Sequence, residues 1–181
     1  NKKCGEGDMY FMNGDVYSGG WNADMFEGKG KFTYASGPFV EYDGSWAAGK
    51  RNGQGKCTYR QGEAIIVVDG NWSKNQTKGK CHIEYADGSI YDGDTRDTAK
   101  HGKGQYTCST GKYKGDFKND QYSGRGHMSF ANGDEFNGEW SGGMMEGKGS
   151  LVRNGEEYDG HFKEGKKCGQ GKMTYKDKTV Y

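Results

Sequence analysis

At 181 residues and a net charge of +1, the chain has no overall field to draw it to nucleic acid or an anionic membrane, so electrostatic binding falls to local patches and nucleic acid is not an expected partner. Hydrophobic residues are 31% while aromatics reach 14%, which makes a two-layer core hard to fill and concentrates burial in Tyr, Trp and Phe. Five cysteines (Cys4, Cys57, Cys81, Cys108, Cys168) form an odd set without a CxxC pair, which predicts free thiols in a reducing, cytoplasmic setting and neither a disulfide nor a zinc framework.

Glycine, at 34 residues beside a single proline, Pro38, recurs at fixed spacing, and self-similarity along the chain sets the organisation. Residues 1–16 read as a half repeat, with Gly5 and Gly7 followed by Met9 and Phe11 and closing on Asn13-Gly14. The repeat at 17–41 opens with Tyr17, Gly19 and Trp21 at alternate positions, continues to Gly28 and Gly30, and ends in Phe32 and Tyr34. Its successor at 42–67 has Tyr42, Gly44, Trp46, Gly53, Gly55, Cys57 and Tyr59 in the same places. At 68–90 Val68 replaces the leading ring and Cys81 the second glycine, around Gly70, Trp72, Gly79, Ile83 and Tyr85. The copy at 91–112 holds Tyr91, Gly93, Gly102, Tyr106 and Cys108, with Thr95 in the tryptophan position. Those at 113–135, 136–157 and 158–181 carry Tyr113/Phe117/Phe130, Phe136/Trp140/Leu151 and Tyr158/Phe162/Met173, with Arg153 in place of the late aromatic in the middle one.

The segment after the second glycine alternates with period two, the pattern of a strand with one apolar face. Tyr17, Gly19 and Trp21 share a face by the same rule, and glycine between two rings leaves room for a neighbouring side chain over bare backbone. Asn13-Gly14, Asp87-Gly88 and Asn132-Gly133 tolerate positive φ and suit tight hairpin turns between repeats. The expectation is an all-β chain of successive β-hairpins in one elongated, twisted antiparallel sheet, with about 10 Å of advance per repeat.

Seven copies with the same internal offsets resemble the MORN (membrane occupation and recognition nexus) repeat family, across nearly the whole chain. The resemblance implies a scaffold at a membrane-cytoskeleton or ciliary or flagellar structure, or the non-catalytic arm of a lipid kinase or lysine methyltransferase.

Catalytic and metal signals are weak. Gly142 to Lys148 fits most of a phosphate-binding loop, but Gly149 stands where Ser or Thr is needed and no helix is expected to follow. His82, His101, His127 and His161 lie in different repeats without a ligand at metal spacing, and no acid-base pair breaks the pattern. The chain is therefore expected not to be an enzyme and to need no cofactor or metal.

Two surfaces are candidates for binding. The first is a groove formed by Tyr17, Trp21, Phe32, Tyr34, Tyr42, Trp46, Tyr59, Trp72, Tyr85, Tyr91, Thr95, Tyr106, Tyr113, Phe117, Phe130, Trp140, Tyr158 and Phe162, with a depression expected at Thr95. Its occupant would be an amphipathic partner segment; alternatively the rings only pack on one another to hold the sheet. The second is a basic rim of Lys50, Arg51, Lys74, Lys78, Lys80, Lys100 and Lys103, suited either to phosphoinositide headgroups or simply to keeping an edge soluble. Met25-Phe26 and Met144-Met145 give apolar hairpin tips that fold onto the rings or meet a partner. Both chain ends fall within a repeat, so homodimerisation through uncapped strands is a further expectation.

Overall fold

The computed structural model describes residues 2–181 and contains fifteen antiparallel strands and, among the described residues, no helix. The chain divides into two compact units, one ending at Thr98 and the other Ala99–Tyr181. The first unit holds β1 (Gly5–Tyr10), β2 (Val16–Asn22), β3 (Met25–Thr33), β4 (Phe39–Ala47), β5 (Lys50–Gln61), β6 (Ala64–Ser73), β7 (Gln76–Glu84) and β8 (Ile90–Arg96). The second holds β9 (Ala99–Cys108), β10 (Gly111–Lys118), β11 (Gln121–Phe130), β12 (Glu135–Ser141), β13 (Met144–Arg153), β14 (Glu156–Lys163) and β15 (Lys166–Thr174). Within each unit consecutive strands pair antiparallel in chain order, as an open meander. This is the all-β hairpin architecture that the alternation predicts.

Two-residue turns close the hairpin inside the repeats and also three of the junctions between repeats, where Gln61 pairs with Ala64, Cys108 with Gly111 and Arg153 with Glu156. Asn22 pairs with Met25 across Ala23 and Asp24, both at positive φ; Lys74-Asn75 and Asn119-Asp120 do the same in their repeats. Two successive positive φ values give a turn whose twist matches that of the flanking strands. The Asn13-Gly14, Asp87-Gly88 and Asn132-Gly133 positions form wider loops. There the Asn or Asp side chain accepts a backbone N–H two residues on, from Asp15 at 3.2 Å, Ser89 at 2.9 Å and Asp134 at 3.0 Å.

The two glycines of each repeat have different tasks. Gly28 sits at φ +74, where the register between β2 and β3 shifts between Gly19 and Trp21; the left-handed backbone that absorbs a bulge is the conformation an L side chain resists. Gly30 instead lies beneath the Tyr17 ring, and a Cβ there would collide with the ring and its hydroxyl. The same contact recurs at Gly55 under Tyr42 and Gly126 under Tyr113. Glycine thus creates the slots in which Tyr17, Tyr42 and Tyr113 are buried.

Successive hairpin tips are tied together by backbone hydrogen bonds. Gly49 donates to the Phe26 carbonyl, Asn75 to that of Arg51, Asp120 to that of Lys100, Gly143 to that of Tyr122 and Gly165 to that of Met145, each at 3.0 Å. The carbonyl always belongs to the residue nine positions after a repeat's first residue. In the third repeat this position is Thr77, and its hydroxyl accepts from the Thr98 N–H at 2.8 Å instead.

Candidate partner-binding face

The aromatic face is built in two tiers. In the lower tier Tyr17, Tyr42, Tyr91, Tyr113 and Phe136 are wholly buried, and Trp46, Trp72, Trp140, Phe117, Phe162 and Phe32 nearly so. The tyrosine hydroxyls are satisfied locally: Tyr17 donates to the Gly20 carbonyl at 2.9 Å, Tyr42 to that of Ser45 at 3.0 Å and Tyr91 to that of Asp94 at 2.6 Å. Burial pushes the Tyr17 and Tyr42 phenols up to about 12, so both stay neutral donors.

Each tryptophan reaches back to the preceding hairpin. Trp21, Trp46, Trp72 and Trp140 donate Nε1–H to the carbonyls of Gly7, Gly30, Gly55 and Gly126, at 2.7 to 3.1 Å. Their rings meet the tyrosines edge to face: Tyr42 has Trp46 at 5.0 Å and Trp72 at 5.5 Å, and Tyr113 has Phe117 at 5.1 Å and Trp140 at 5.3 Å. Such T-shaped pairs are each worth about 0.5–1.5 kcal/mol beyond the area they bury. In each unit the lower tier is a core that the sheet carries on one face.

The upper tier is what a partner can touch. Phe26 stacks on Tyr17 at 3.9 Å and Tyr122 on Tyr113 at 4.0 Å, and with Tyr34, Tyr59, Tyr85, Tyr106, Phe130, Trp21 and Tyr158 they are half-buried. Of the eighteen groove positions, therefore, only these last seven reach the surface. The rest are the floor. Phe39 and Tyr122 belong to the surface row but are absent from the sequence expectation. Tyr122 was findable, since it holds the same offset as Phe26; Phe39 stands outside the repeat pattern, beside Pro38, and carried no signal.

Thr95 is 7% exposed, and its hydroxyl meets Cys81 Sγ at 3.2 Å, Thr77 Oγ1 at 3.0 Å and the Gly79 carbonyl at 3.2 Å. Three polar contacts satisfy it where other repeats place an aromatic ring. A half-open cleft of about 290 Å³ is lined by Phe39, Arg51, Cys57, Tyr59, Trp72 and Thr77, with Asn75, Gln76, Asp97 and Thr98 at its polar side.

The basic rim is correspondingly smaller than expected. Arg51 is not on a rim: it is 9% exposed, with its guanidinium 4.6 Å from the Trp72 ring centre and 4.7 Å from that of Phe39. Its Nη1 donates to Cys57 Sγ at 3.3 Å and its Nη2 to the Asn75 carbonyl at 3.1 Å. Lys100 also turns inward, its ammonium 4.9 Å from the Tyr106 ring centre and 3.4 Å from Asp120. Lys50, Lys74, Lys78, Lys80 and Lys103 are exposed, Lys103 in an ion pair with Asp116 at 2.6 Å.

Burial raises the Cys57 and Cys81 thiols above their ordinary value, with hydrogen bonds pulling only partly the other way, so both are held as thiols rather than as reactive thiolates. All five cysteines are free. Among the described residues no three His, Cys, Asp or Glu side chains come together to hold a metal ion, and no helix is long and apolar enough to cross a membrane.

No curated protein matches this chain. The MORN repeat family matches it in eight consecutive segments, residues 1–16, 17–38, 42–63, 69–90, 91–112, 113–135, 136–155 and 158–180. These segments follow the buried ring, the bulge glycine and the slot glycine from hairpin to hairpin, and the chain belongs to the MORN repeat family.

Proposed function

We propose that this chain is a non-catalytic scaffold that binds an amphipathic segment of a protein partner along the upper aromatic tier. The observation that carries this reading is the pairing of tiers: half-exposed rings such as Phe26, Tyr34, Tyr59 and Tyr122 rest on a fully buried floor. Rigid aromatic area with little side-chain freedom left to lose is what an interface anchor requires. The hairpin-tip hydrogen bonds to the Phe26 and Tyr122 carbonyls fix these two upper-tier residues to the next hairpin, which supports a preformed surface.

The test is photo-cross-linking from a benzophenone side chain placed at Tyr34, Tyr59 or Tyr122, compared with Lys31 or Lys114 on the opposite, polar face, in extract of the source cells. A protein labelled from the aromatic positions and not from the polar ones supports the proposal; labelling from the polar face alone overturns it. A second reading, binding to phosphoinositide membranes, draws on the exposed Lys50, Lys74, Lys78 and Lys80. Sedimentation with phosphoinositide vesicles would then weaken steeply as salt rises, whereas aromatic docking would not. Self-association and service as the regulatory arm of a larger enzyme remain compatible with either reading.

A further inference from the structure

Arg51 is the buried cation of the aromatic face. At the same offset the first and fifth repeats place Phe26 and Tyr122, which cover the tyrosine beneath them, and the fourth and seventh place Lys100 and Lys167, whose ammonium groups lie over Tyr106 and Tyr158. Arg51 instead slides off Tyr42, whose ring centre is 5.7 Å away, and is clamped by Trp72 and Phe39. It makes no ion pair with a carboxylate among the described residues. A guanidinium withdrawn from water is normally paired with an acid, because ring faces and neutral acceptors offset only part of the lost hydration.

The next repeat opens the space beside it. Thr77 is smaller than the residue at the equivalent position of every other repeat, and it lines the cleft in which Arg51, Tyr59 and Trp72 meet. The rings take up positions over the guanidinium, while Cys57 and Asn75 accept one bond each from Nη1 and Nη2. Arginine carries five N–H donors, so about three remain for a ligand in the cleft.

We infer that this cleft receives the side-chain carboxylate of an Asp or Glu in a bound peptide segment, with the apolar neighbours of that residue lying on Phe39, Tyr59 and Trp72. The inference rests on the docking of a partner segment along this face and names the charged feature that segment carries. A peptide acid fits better than a lipid headgroup. One cation at the base of a largely apolar cleft balances one carboxylate, while a multiply charged phosphate leaves charge unbalanced beside Asp97, which repels it more strongly than a single carboxylate. A charge-assisted pair of this kind, formed away from water, is about twice as strong as a neutral hydrogen bond.

The test is a titration of the full chain, followed by nuclear magnetic resonance, with N-acetyl-Leu-Glu-Leu-amide, whose only carboxylate is the glutamate side chain, and with its glutamine isostere. The Arg51 Nε–H and Trp72 indole N–H are the reporters, and the Trp46 and Trp140 indoles report the fold. The glutamate peptide is expected to shift both reporters saturably and to bind about tenfold more tightly than the isostere, with Arg51→Gln bringing that ratio to about one. Should Arg51→Gln disturb the fold reporters, the Glu-to-Gln ratio on the unaltered protein still decides. Equal shifts from both peptides overturn the carboxylate site while leaving aromatic docking intact; no shift on this face from either overturns both. Tighter binding of inositol trisphosphate at Arg51 overturns the inference in favour of a headgroup.

Discussion

Trp72 donates its indole N–H to the Gly55 carbonyl at 2.7 Å, from one strand to the strand before it. This bond joins two repeats, because Gly55 closes the second hairpin and Trp72 opens the third. Trp72→Phe keeps the ring but orphans a buried acceptor, and is expected to destabilise the chain by about 1–3 kcal/mol. Urea unfolding checks this: an unchanged midpoint would show that the bond contributes nothing beyond ring packing.

The two glycines of the first repeat should respond differently to alanine. At Gly30 a Cβ meets the Tyr17 ring, so Gly30→Ala is an overpacking change costing about 1–3 kcal/mol. At Gly28 nothing lies within 4 Å, and the cost there, about 1–2 kcal/mol, comes from a left-handed backbone at φ +74. Combination with Tyr17→Leu separates them. Gly30→Ala should cost markedly less in that background, whereas Gly28→Ala should cost the same.

Restoring the repeat's tryptophan at Thr95 is expected to harm the protein. The hydroxyl of Thr95 sits among Cys81, Thr77 and the Gly79 carbonyl, and the residue is 7% exposed. Thr95→Trp should therefore lower stability by about 1–3 kcal/mol through overpacking, read as a lower melting temperature. A melting temperature at or above that of the unaltered chain would mean that the indole site survives there.

His82 gives the stability a defined pH dependence. Its Nδ1 is 2.6 Å from Asp92 and its Nε2 is 3.3 Å from Glu84; the hydrogen bond to Asp92 is the largest effect and, with a weaker one to Glu84, raises its pKa above the ordinary 6.5 against the opposing effect of desolvation. A raised folded-state pKa stabilises fully below the unfolded value, and the contribution is lost as pH rises through the folded one. The side chain is 42% exposed, so the effect is small. The urea midpoint should fall from pH 6 to pH 8, and His82→Gln should flatten that fall. An identical slope in the variant would assign it elsewhere.

Period-two alternation and the fixed offsets of Tyr17, Gly19, Trp21, Gly28 and Gly30 were enough to read strands, hairpins and the repeat family, because side-chain direction alternates along a strand whatever its neighbours are. The turn chemistry was read only where Asn-Gly and Asp-Gly stand; at the hairpin tips the second residue, Asp24, Asn75 or Asp120, tolerates positive φ, but the first, Ala23 or Lys74, has no such preference and follows the twist of the flanking strands. The sequence by itself determined which residues share the aromatic face. Only the tertiary structure decided which of them lie beneath others, since that depends on strand register and on bulges: these lay Phe26 over Tyr17, sink Arg51 between Trp72 and Phe39, and open the cleft at Thr77. Position in a repeat tells which face a side chain occupies; its depth is set by the side chains of adjacent hairpins competing for the same volume.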